Sequence, residues 1–140
     1  MSGPETRFIA SIHKHLPPVD TFYRLKMHNQ YNAGGADLWY SGRKRDLWIE
    51  YKWVNFPKRG DTIISIVDGK KPSLSVLQQH WIQGRVTEGR EVWVIVGCKT
   101  GGVVFINGWE SGRWPADVFK ERVVTRQEIA KNVLSVCSDL

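Results

Sequence analysis

The sequence predicts a single α/β domain in which a mixed central sheet is flanked by helices. Three observations indicate this class. Residues 46–53 alternate between polar and apolar side chains, as a half-buried strand does. Residues 91–96 form an apolar run that is typical of a buried strand. A helical pattern lies between them at residues 74–89, and the strand–helix–strand order favours a sheet with helices on both faces.

The first predicted element is a helix near the N-terminus. Ser2 is the expected N-cap, Pro4 stands in the first turn, and Glu5 completes a capping box. Apolar side chains then recur at helical spacing, at Phe8, Ile9, Ile12 and Leu16. Two prolines at positions 17 and 18 end the helix. Because Glu5 shares the apolar stripe, its carboxyl is expected to face the core, where an acid is costly unless it is paired or bound to a cation.

Three strands and a long loop are predicted to follow this helix. The strands cover residues 21–27, 36–40 and 46–53, joined by a turn-rich connection at 29–35 and a basic hairpin turn at 41–45. Residues 55–73 contain prolines, glycines and four Lys or Arg residues, which predicts a loop. The later elements are the helix at 74–89, strands at 91–96 and 103–106, and short closing helices at 114–122 and 126–136. The predicted core therefore has the order α-β-β-β-α-β.

Composition narrows the possible classes of function. The 140 residues fit one domain, with a core at about 4–97 and a C-terminal strand and helical extension at about 98–140, and 41% hydrophobic residues exclude a disordered chain. The formal net charge is +6, which favours a polyanionic partner. Residues 1–73 carry most of this surplus, with 12 Lys or Arg and seven Asp or Glu.

Other features bear on cellular location. Two cysteines are too few for a disulfide framework or a cysteine zinc site. No apolar run approaches the ~20 residues of a membrane span, so no membrane partner is expected. The N-terminus lacks an apolar signal core. We therefore expect an intracellular, cytoplasmic protein, and its small size suits a bacterial or phage origin.

A charged pair on the central predicted strand is the most informative feature. Alternation places Trp48, Glu50 and Lys52 on one face of that strand. Taken alone, this pattern is more typical of an edge strand with a solvent-exposed ion pair. Asp37 lies across the predicted hairpin, however, so its carboxyl can converge with that of Glu50.

Acids from separate elements and one amine suit phosphodiester hydrolysis. Carboxylates from Glu5, Asp37 and Glu50 would form a hard oxygen site for Mg²⁺. Such an ion holds the scissile phosphate and makes bound water more acidic. Lys52 beside it would orient the attacking water and offset charge that develops on phosphorus. Simpler roles stay open: Glu5 as a capping-box residue, Asp37 as a turn acid, and Lys52 as an ion-pair partner of Glu50.

Two short motifs resemble the signature of the PD-(D/E)xK nuclease superfamily. They are Gly34-Gly35-Ala36-Asp37 and Ile49-Glu50-Tyr51-Lys52. The helix start Leu74-Ser75-x-x-Gln78 and the segment Gly89-x-x-Val92-x-Val94 are similar to the VRR-NUC branch and to archaeal-type Holliday junction resolvases. The resemblance covers about residues 4–97. The family usually has Pro where this chain has Ala36, but that proline shapes the backbone and does no chemistry.

This resemblance implies a restriction-endonuclease-like core, metal-dependent phosphodiester hydrolysis and often a homodimer that acts on branched DNA. The implied metal ligands are Asp37, Glu50, the backbone carbonyl of Tyr51, and Glu5 on the first helix. Lys52 would be the catalytic lysine. Gln78 would be the polar helper on the second long helix, with an ordinary helix-start residue as the alternative. Mg²⁺ is the implied cofactor, and Mn²⁺ is expected to substitute for it.

Two basic clusters are expected to bind DNA phosphates without reading the sequence. They are Arg43, Lys44 and Arg45 in the hairpin turn, and Lys58, Arg59, Lys70 and Lys71 in the long loop. The hairpin turn is expected to lie next to Asp37 and Glu50. Solvated surface without a role in DNA binding is the alternative for both clusters.

The sequence thus predicts a Mg²⁺-dependent endodeoxyribonuclease, active as a homodimer on branched DNA such as Holliday junctions, in DNA recombination or repair. A small core without an added sequence-reading module favours recognition by shape. A site-specific endonuclease of restriction or homing type is one alternative. A non-catalytic DNA-binding module is the alternative from another class, and the presence of all three acids and the lysine disfavours it.

Overall fold

The computed structural model describes residues 3–27, 35–70 and 72–139, and these residues form helices around a mixed sheet. The helices are α1 (Pro4–His13), α2 (Val76–Thr87), α3 (Ala116–Glu121) and α4 (Arg126–Cys137), with a 3₁₀ turn at Trp109–Ser111. The strands are β1 (Tyr23–Lys26), β2 (Leu38–Ser41), β3 (Asp46–Trp53), β4 (Ile63–Ser65), β5 (Val92–Cys98), β6 (Gly101–Phe105) and β7 (Arg113–Pro115). The predicted α/β class and the core order are confirmed, with the short strand β4 added inside the predicted loop. Within the described ranges, no helix combines the length and apolarity needed to cross a bilayer.

Five strands form the main sheet, in the order β1-β2-β3-β5-β6. β3 and β5 run parallel and are joined through α2, whereas the other neighbours are antiparallel. β4 and β7 form a separate two-stranded sheet. This topology makes β3 the middle strand of the main sheet.

The sheet separates two hydrophobic clusters. The first lies under α1 and α4 and includes Ile12, Tyr51 and Ile129. The second lies under α2, α3 and the small sheet and includes Ile82. Because alternate side chains of β3 point to opposite faces, Tyr51 enters the first cluster and Glu50 lies on the side of the second.

Helix α1 lies close to the sheet because two glycines make room for Phe8. A Cβ atom at Gly97 would lie 2.5 Å from the Phe8 ring, and a Cβ at Gly102 would lie 2.9 Å from it. The ring also packs edge-on against Trp53, with centroids 5.9 Å apart. This packing holds the first turn of α1, which carries Glu5, near the end of β3.

Some predicted helix boundaries are wrong. The N-cap of α1 is Gly3, whereas the expected cap, Ser2, lies outside the described residues. The helix predicted at 114–122 begins only at residue 116, because Trp114 pairs with Ile64 in the β4–β7 ladder and stacks on Phe105 with centroids 4.9 Å apart. Pairing between distant segments therefore overrides the local helical pattern at this point.

Candidate active site

Asp37 and Glu50 meet at the end of the β2–β3 ladder. Leu38 pairs with Ile49, so the next two residues in register are Asp37 and Glu50. The Asp37 carboxylate accepts a hydrogen bond from the backbone N–H of Tyr51 at 2.9 Å. This bond holds the carboxylate of Asp37, the residue just before β2, against β3. The hairpin thus brings the two carboxyls together.

Glu50 is buried and is held by two neighbouring side chains. The residue is only 1% exposed. Nε2 of Gln78 donates a hydrogen bond to Oε1 of Glu50 at 3.2 Å, and Nζ of Lys52 lies 3.6 Å from the same oxygen. The other oxygen, Oε2, is buried and has no hydrogen-bond partner within the described residues. A buried carboxylate with a bare oxygen is unfavourable unless it takes up a proton or binds a cation.

Gln78 reaches Glu50 from the start of α2. The hydroxyl of Ser75 accepts a hydrogen bond from the backbone N–H of Gln78 at 3.1 Å, and Oε1 of Gln78 accepts one from the backbone N–H of Ser75 at 2.9 Å. This capping box occupies the amide oxygen and leaves the amide nitrogen for Glu50. The helix-start role and the site role considered for Gln78 are therefore compatible.

Burial and neighbouring acids raise the pKa values of two carboxyls. Burial is the largest cause of the raised pKa of Glu50, followed by Asp37, while the charge of Lys52 opposes the shift. Two carboxyls can share a hydrogen bond only when one of them is protonated, so a proton on Glu50 is stabilised by Asp37. Burial also raises the pKa of Glu5, helped by the charge of Asp37 and opposed by Lys52 and Lys26.

The Asp37–Glu50 pair fits a divalent cation. Carboxylate oxygens are the ligands that Mg²⁺ and Mn²⁺ prefer. A cation would bind the unpartnered oxygen of Glu50 and would lower the raised pKa of this residue. Within the described residues, however, no three His, Cys, Asp or Glu side chains are grouped so that they could hold a metal ion. The expected meeting of three acids is therefore not observed, and Glu5 affects the pair through its charge.

Comparisons with known proteins relate this fold to a solved structure. No protein-family model matches the sequence, and no curated protein is significantly similar to it. The structure is similar to that of Hjc from Archaeoglobus fulgidus, described as a Holliday junction resolvase from an archaeal hyperthermophile. The TM-score is 0.53 at 14% sequence identity, and the match covers 92% of this chain and 97% of that one.

The protein has a restriction-endonuclease-like fold. At 14% identity the similarity bears on the fold alone. The VRR-NUC branch and the roles of the individual side chains therefore remain predictions.

The basic hairpin turn lies at the far end of the β2–β3 ladder from the acids. Its residues are Arg43, Lys44 and Arg45. Two backbone N–H groups of the turn donate to the carbonyl of Cys137, which ends α4, at 2.7 and 3.3 Å. Asp46, which follows the turn, lies about 13 Å from Glu50 along β3 at ~3.3 Å per residue. The expected position next to the acids is wrong, because the turn joins the opposite ends of β2 and β3 from those that carry Asp37 and Glu50.

The loop after β3 carries the other basic cluster. Lys58, Arg59 and Lys70 are exposed, and Lys71 lies outside the described residues. Arg59 forms two hydrogen bonds with Asp61, at 3.2 and 2.9 Å. Because β3 ends one residue after Lys52, this loop begins at the same end of the restriction-endonuclease-like sheet as the acids. Its binding to DNA phosphates remains a prediction.

Lys26 is a neighbour of the site that the sequence pattern did not reveal. It pairs with Leu38 at the end of β1, one residue from Asp37, and its charge opposes the raised pKa of Glu5. The register of the β1–β2 pair would have identified it. That register could not be predicted, because a long turn-rich connection does not fix how two strands align.

Proposed function

We propose that this protein is a divalent-metal-dependent endonuclease that hydrolyses phosphodiester bonds in DNA and prefers branched DNA such as Holliday junctions. The main support is Glu50, a buried carboxyl with a bare oxygen, held beside Asp37 and Lys52. The fold also supports the proposal, since the similar Archaeoglobus fulgidus protein is described as a Holliday junction resolvase. A net charge of +6 suits a polyanionic substrate.

The proposed metal ligands are Asp37, Glu50 and the backbone carbonyl of Tyr51. Mg²⁺ is the proposed ion, and Mn²⁺ is expected to substitute for it. Such an ion, when bound, supplies Lewis-acid activation of the phosphate and of the attacking water. Glu5 is proposed to complete the acidic set by accepting a hydrogen bond from water. Gln78 is a positioning residue, because its amide N–H holds one oxygen of Glu50 and leaves the other available.

Lys52 is the proposed catalytic lysine. Its side chain is 14% exposed and its ammonium lies 3.6 Å from Glu50, so the amine is held in place and still accessible to a phosphate. There the ammonium orients the attacking water and offsets negative charge that develops on the phosphate oxygens. The water oxygen bonds to phosphorus as the bond to the 3′ oxygen breaks, one proton of the water passes to solvent, and the 3′ oxygen takes up a proton from solvent. The products are a 5′-phosphate and a 3′-hydroxyl.

Recognition by shape is the proposed source of selectivity. The small sheet, α3 and α4 all pack against the core, so they extend the nuclease fold rather than adding a separate module. A homodimer is proposed because two copies would present two sites to the two strands that are cut at a junction.

The test is incubation with Mg²⁺ of a four-way junction, a flap, a linear duplex and a single strand of matched sequence. We expect the junction to be cut fastest, EDTA to stop cutting and Mn²⁺ to restore it. Lys52→Ala, purified in the same way, controls for contaminating nucleases. Cutting of the linear duplex at one defined sequence would favour a restriction- or homing-type enzyme. Binding without cutting would identify a non-catalytic DNA-binding module.

A further inference from the structure

Three aromatic side chains form a row across β1, β2 and β3. They are Tyr23, Trp39 and Trp48, and we call them the aromatic row. The rings of Trp39 and Trp48 stack, with centroids 6.3 Å apart and planes inclined by 17°. Tyr23 meets Trp39 edge-on at 5.6 Å. Tyr23 is 46% exposed, and Leu25 beside it on β1 is 44% exposed, so the row is open to solvent at the β1 edge of the sheet.

The aromatic row lies on the same face of the sheet as the two acids. Side chains two residues apart on a strand point the same way, so Trp39 is one step from Asp37 and Trp48 is one step from Glu50. Each step is about 6.6 Å along the strand. Trp39 also pairs directly with Trp48 in the ladder. A strand with a phosphate at the acids would therefore have its neighbouring nucleotides over these rings.

A charged cleft adjoins Trp48 on the side away from the acids. The cleft has a volume of about 430 Å³ and is lined by Trp48 together with Lys44, Arg45, Asp46, Arg90 and Glu91; we call it the Trp48 cleft. Arg45 pairs with Glu91 at 3.2 Å, and Asp46 accepts a hydrogen bond from the hydroxyl of Ser41 at 2.7 Å. These contacts satisfy both acids of the cleft.

Two cations of the cleft remain available for a phosphate. Nζ of Lys44 donates a hydrogen bond to the backbone carbonyl of Ser135 at 3.3 Å. Because this carbonyl is neutral, the contact does not neutralise the charge of Lys44. Arg90 is exposed at the edge of the cleft. The cleft thus combines an aromatic side chain with cations, the two elements that bind single-stranded nucleic acid without sequence preference.

The length of this path matches a short piece of DNA strand. From Asp46 through Trp48 to Glu50 the path measures about 13 Å, at ~3.3 Å per residue. That distance corresponds to about four stacked nucleotides at 3.4 Å each, or fewer if the strand is stretched. Base-paired DNA covers the faces of its bases by stacking, so the aromatic rings favour unpaired bases.

We propose that the aromatic row and the Trp48 cleft bind an unpaired DNA strand that leads to the scissile phosphate. Bases stack on Trp48 and Tyr23, and Lys44 and Arg90 bind phosphates a few nucleotides from the cut. This inference rests on the proposed nuclease function and specifies its substrate as a junction with unpaired nucleotides beside the cleavage point. A polyanion also suits these cations better than a second copy of a chain with net charge +6.

The test compares binding of forked and blunt DNA in EDTA, so that no cutting occurs. The probes are a fluorescein-labelled duplex with two unpaired arms and a blunt duplex of equal length, followed by fluorescence anisotropy. Trp48→Leu removes the ring, and Trp48→Phe is the matched control that keeps an aromatic face. We expect Trp48→Leu to bind the fork about tenfold more weakly and the blunt duplex within about twofold of the wild type, with Trp48→Phe close to the wild type.

A second variant pair guards against a folding defect, because Trp48 also packs partly against the second cluster. Tyr23 is largely exposed, so Tyr23→Leu should fold, and Tyr23→Phe keeps the ring. We expect Tyr23→Leu alone of this pair to weaken binding of the fork. A 2-aminopurine in the unpaired arm should be quenched by the wild type and less by either leucine variant.

Three results would overturn the inference. The first is equal binding of the fork by the leucine variants and the wild type. The second is an equal loss of affinity for the fork and for the blunt duplex. The third is a change from dimer to monomer in Trp48→Leu without loss of DNA binding. The last result would identify the row as a contact between copies. Mg²⁺-dependent cutting by the wild type is measured separately. If the wild type cuts DNA but the leucine variants bind the fork as the wild type does, only this inference fails. If the leucine variants bind the fork more weakly but the wild type does not cut, only the proposed function fails.

Discussion

Two adjacent residues of β3, Glu50 and Tyr51, bury polar groups on opposite faces of the sheet. The two groups differ in how far their hydrogen bonds are satisfied. The Tyr51 hydroxyl shares a hydrogen bond with that of Tyr40 at 2.7 Å, and Tyr40 contacts Nε2 of His13 at 2.8 Å. On the other face, Glu50 has one oxygen bound by Gln78 and Oε2 unpartnered within the described residues. One polar network is satisfied internally, whereas the other is satisfied only when a proton or a cation is present.

This difference separates a network that stabilises the fold from the proposed metal site. Buried polar groups that bond to each other stabilise the fold, whereas a bare buried carboxyl oxygen destabilises it until a proton or a cation arrives. The His13–Tyr40–Tyr51 network therefore belongs to the fold. The Asp37–Glu50 pair, by contrast, belongs to the proposed reaction, and variants on the two faces should behave in opposite ways.

The largest expected difference is in catalysis. Glu50→Ala should lower the single-turnover rate of junction cleavage by about 10³-fold or more, which corresponds to about 4 kcal/mol, because a proposed metal ligand is lost. Binding of the junction in EDTA should survive, since the metal-free Glu50 is buried and carries a proton, so its removal changes no charge that faces the DNA. Tyr40→Phe on the opposite face is the control and should cut within about threefold of the wild type. Equal losses in both variants would contradict the assignment.

The next effect is on the stability of the metal-free protein. Glu50→Gln should raise the free energy of unfolding by about 2 kcal/mol at pH 8 in EDTA, because no buried carboxyl then needs a proton. In the wild type the folded pKa of Glu50 lies above the unfolded one, so its contribution is full below the unfolded pKa and is lost as pH rises through the folded pKa. The gain should therefore grow with pH in urea titrations. A gain that is absent or shrinks with pH would count against the raised pKa.

On the satisfied face the sign reverses. Tyr40→Phe should lower the free energy of unfolding by about 1.5 kcal/mol, because it leaves the buried Tyr51 hydroxyl without its partner. Tyr23→Phe is the matched control: its hydroxyl is on a side chain 46% exposed, and the change should stay within about 0.5 kcal/mol. Equal stability of Tyr40→Phe and the wild type in urea would show that the network is dispensable.

A smaller effect on stability is expected at low pH, through His13 in the His13–Tyr40–Tyr51 network. Burial, helped by the charge of Arg24, lowers the pKa of His13 to about 4. Its contribution to stability is present above the unfolded pKa of about 6.5 and is lost as pH falls toward the folded value. The slope cannot exceed about 1.4 kcal/mol per pH unit for one proton, and partial exposure reduces it. His13→Phe should flatten the decline of thermal stability between pH 6.5 and 4, and an unchanged decline would exclude this cause.

The sequence predicted which of these side chains lie together where the relevant rules are local. Alternation along a strand put Glu50 and Lys52 on one face, and the structure has them 3.6 Å apart. Ser75 and Gln78 were expected at the start of a helix, and the structure has them there, joined in a capping box. Asp37 followed from the hairpin register, another short-range constraint.

Features that depend on distant contacts could not be predicted. The hydrogen bonds of the basic hairpin turn to Cys137 join segments that no local pattern links, whereas the distance of this turn from the acids follows from the hairpin register. Trp114 was predicted to be helical because a local sequence pattern does not reveal its pairing with the distant Ile64. The position of Glu5 depends on how Phe8 packs over Gly97, so the sequence identified a core-facing acid but not its separation from the other two.

Calorimetric titration of Mn²⁺ into the wild type and Glu50→Gln tests the central claim most directly, with proton release measured in two buffers at pH 7.5. The account predicts that the wild type binds the ion and releases up to one proton, since the metal-free Glu50 is protonated, and that Glu50→Gln binds much more weakly without release. Binding that is equal in both proteins, or absent from both, would contradict the assignment of the Asp37–Glu50 pair as a metal site.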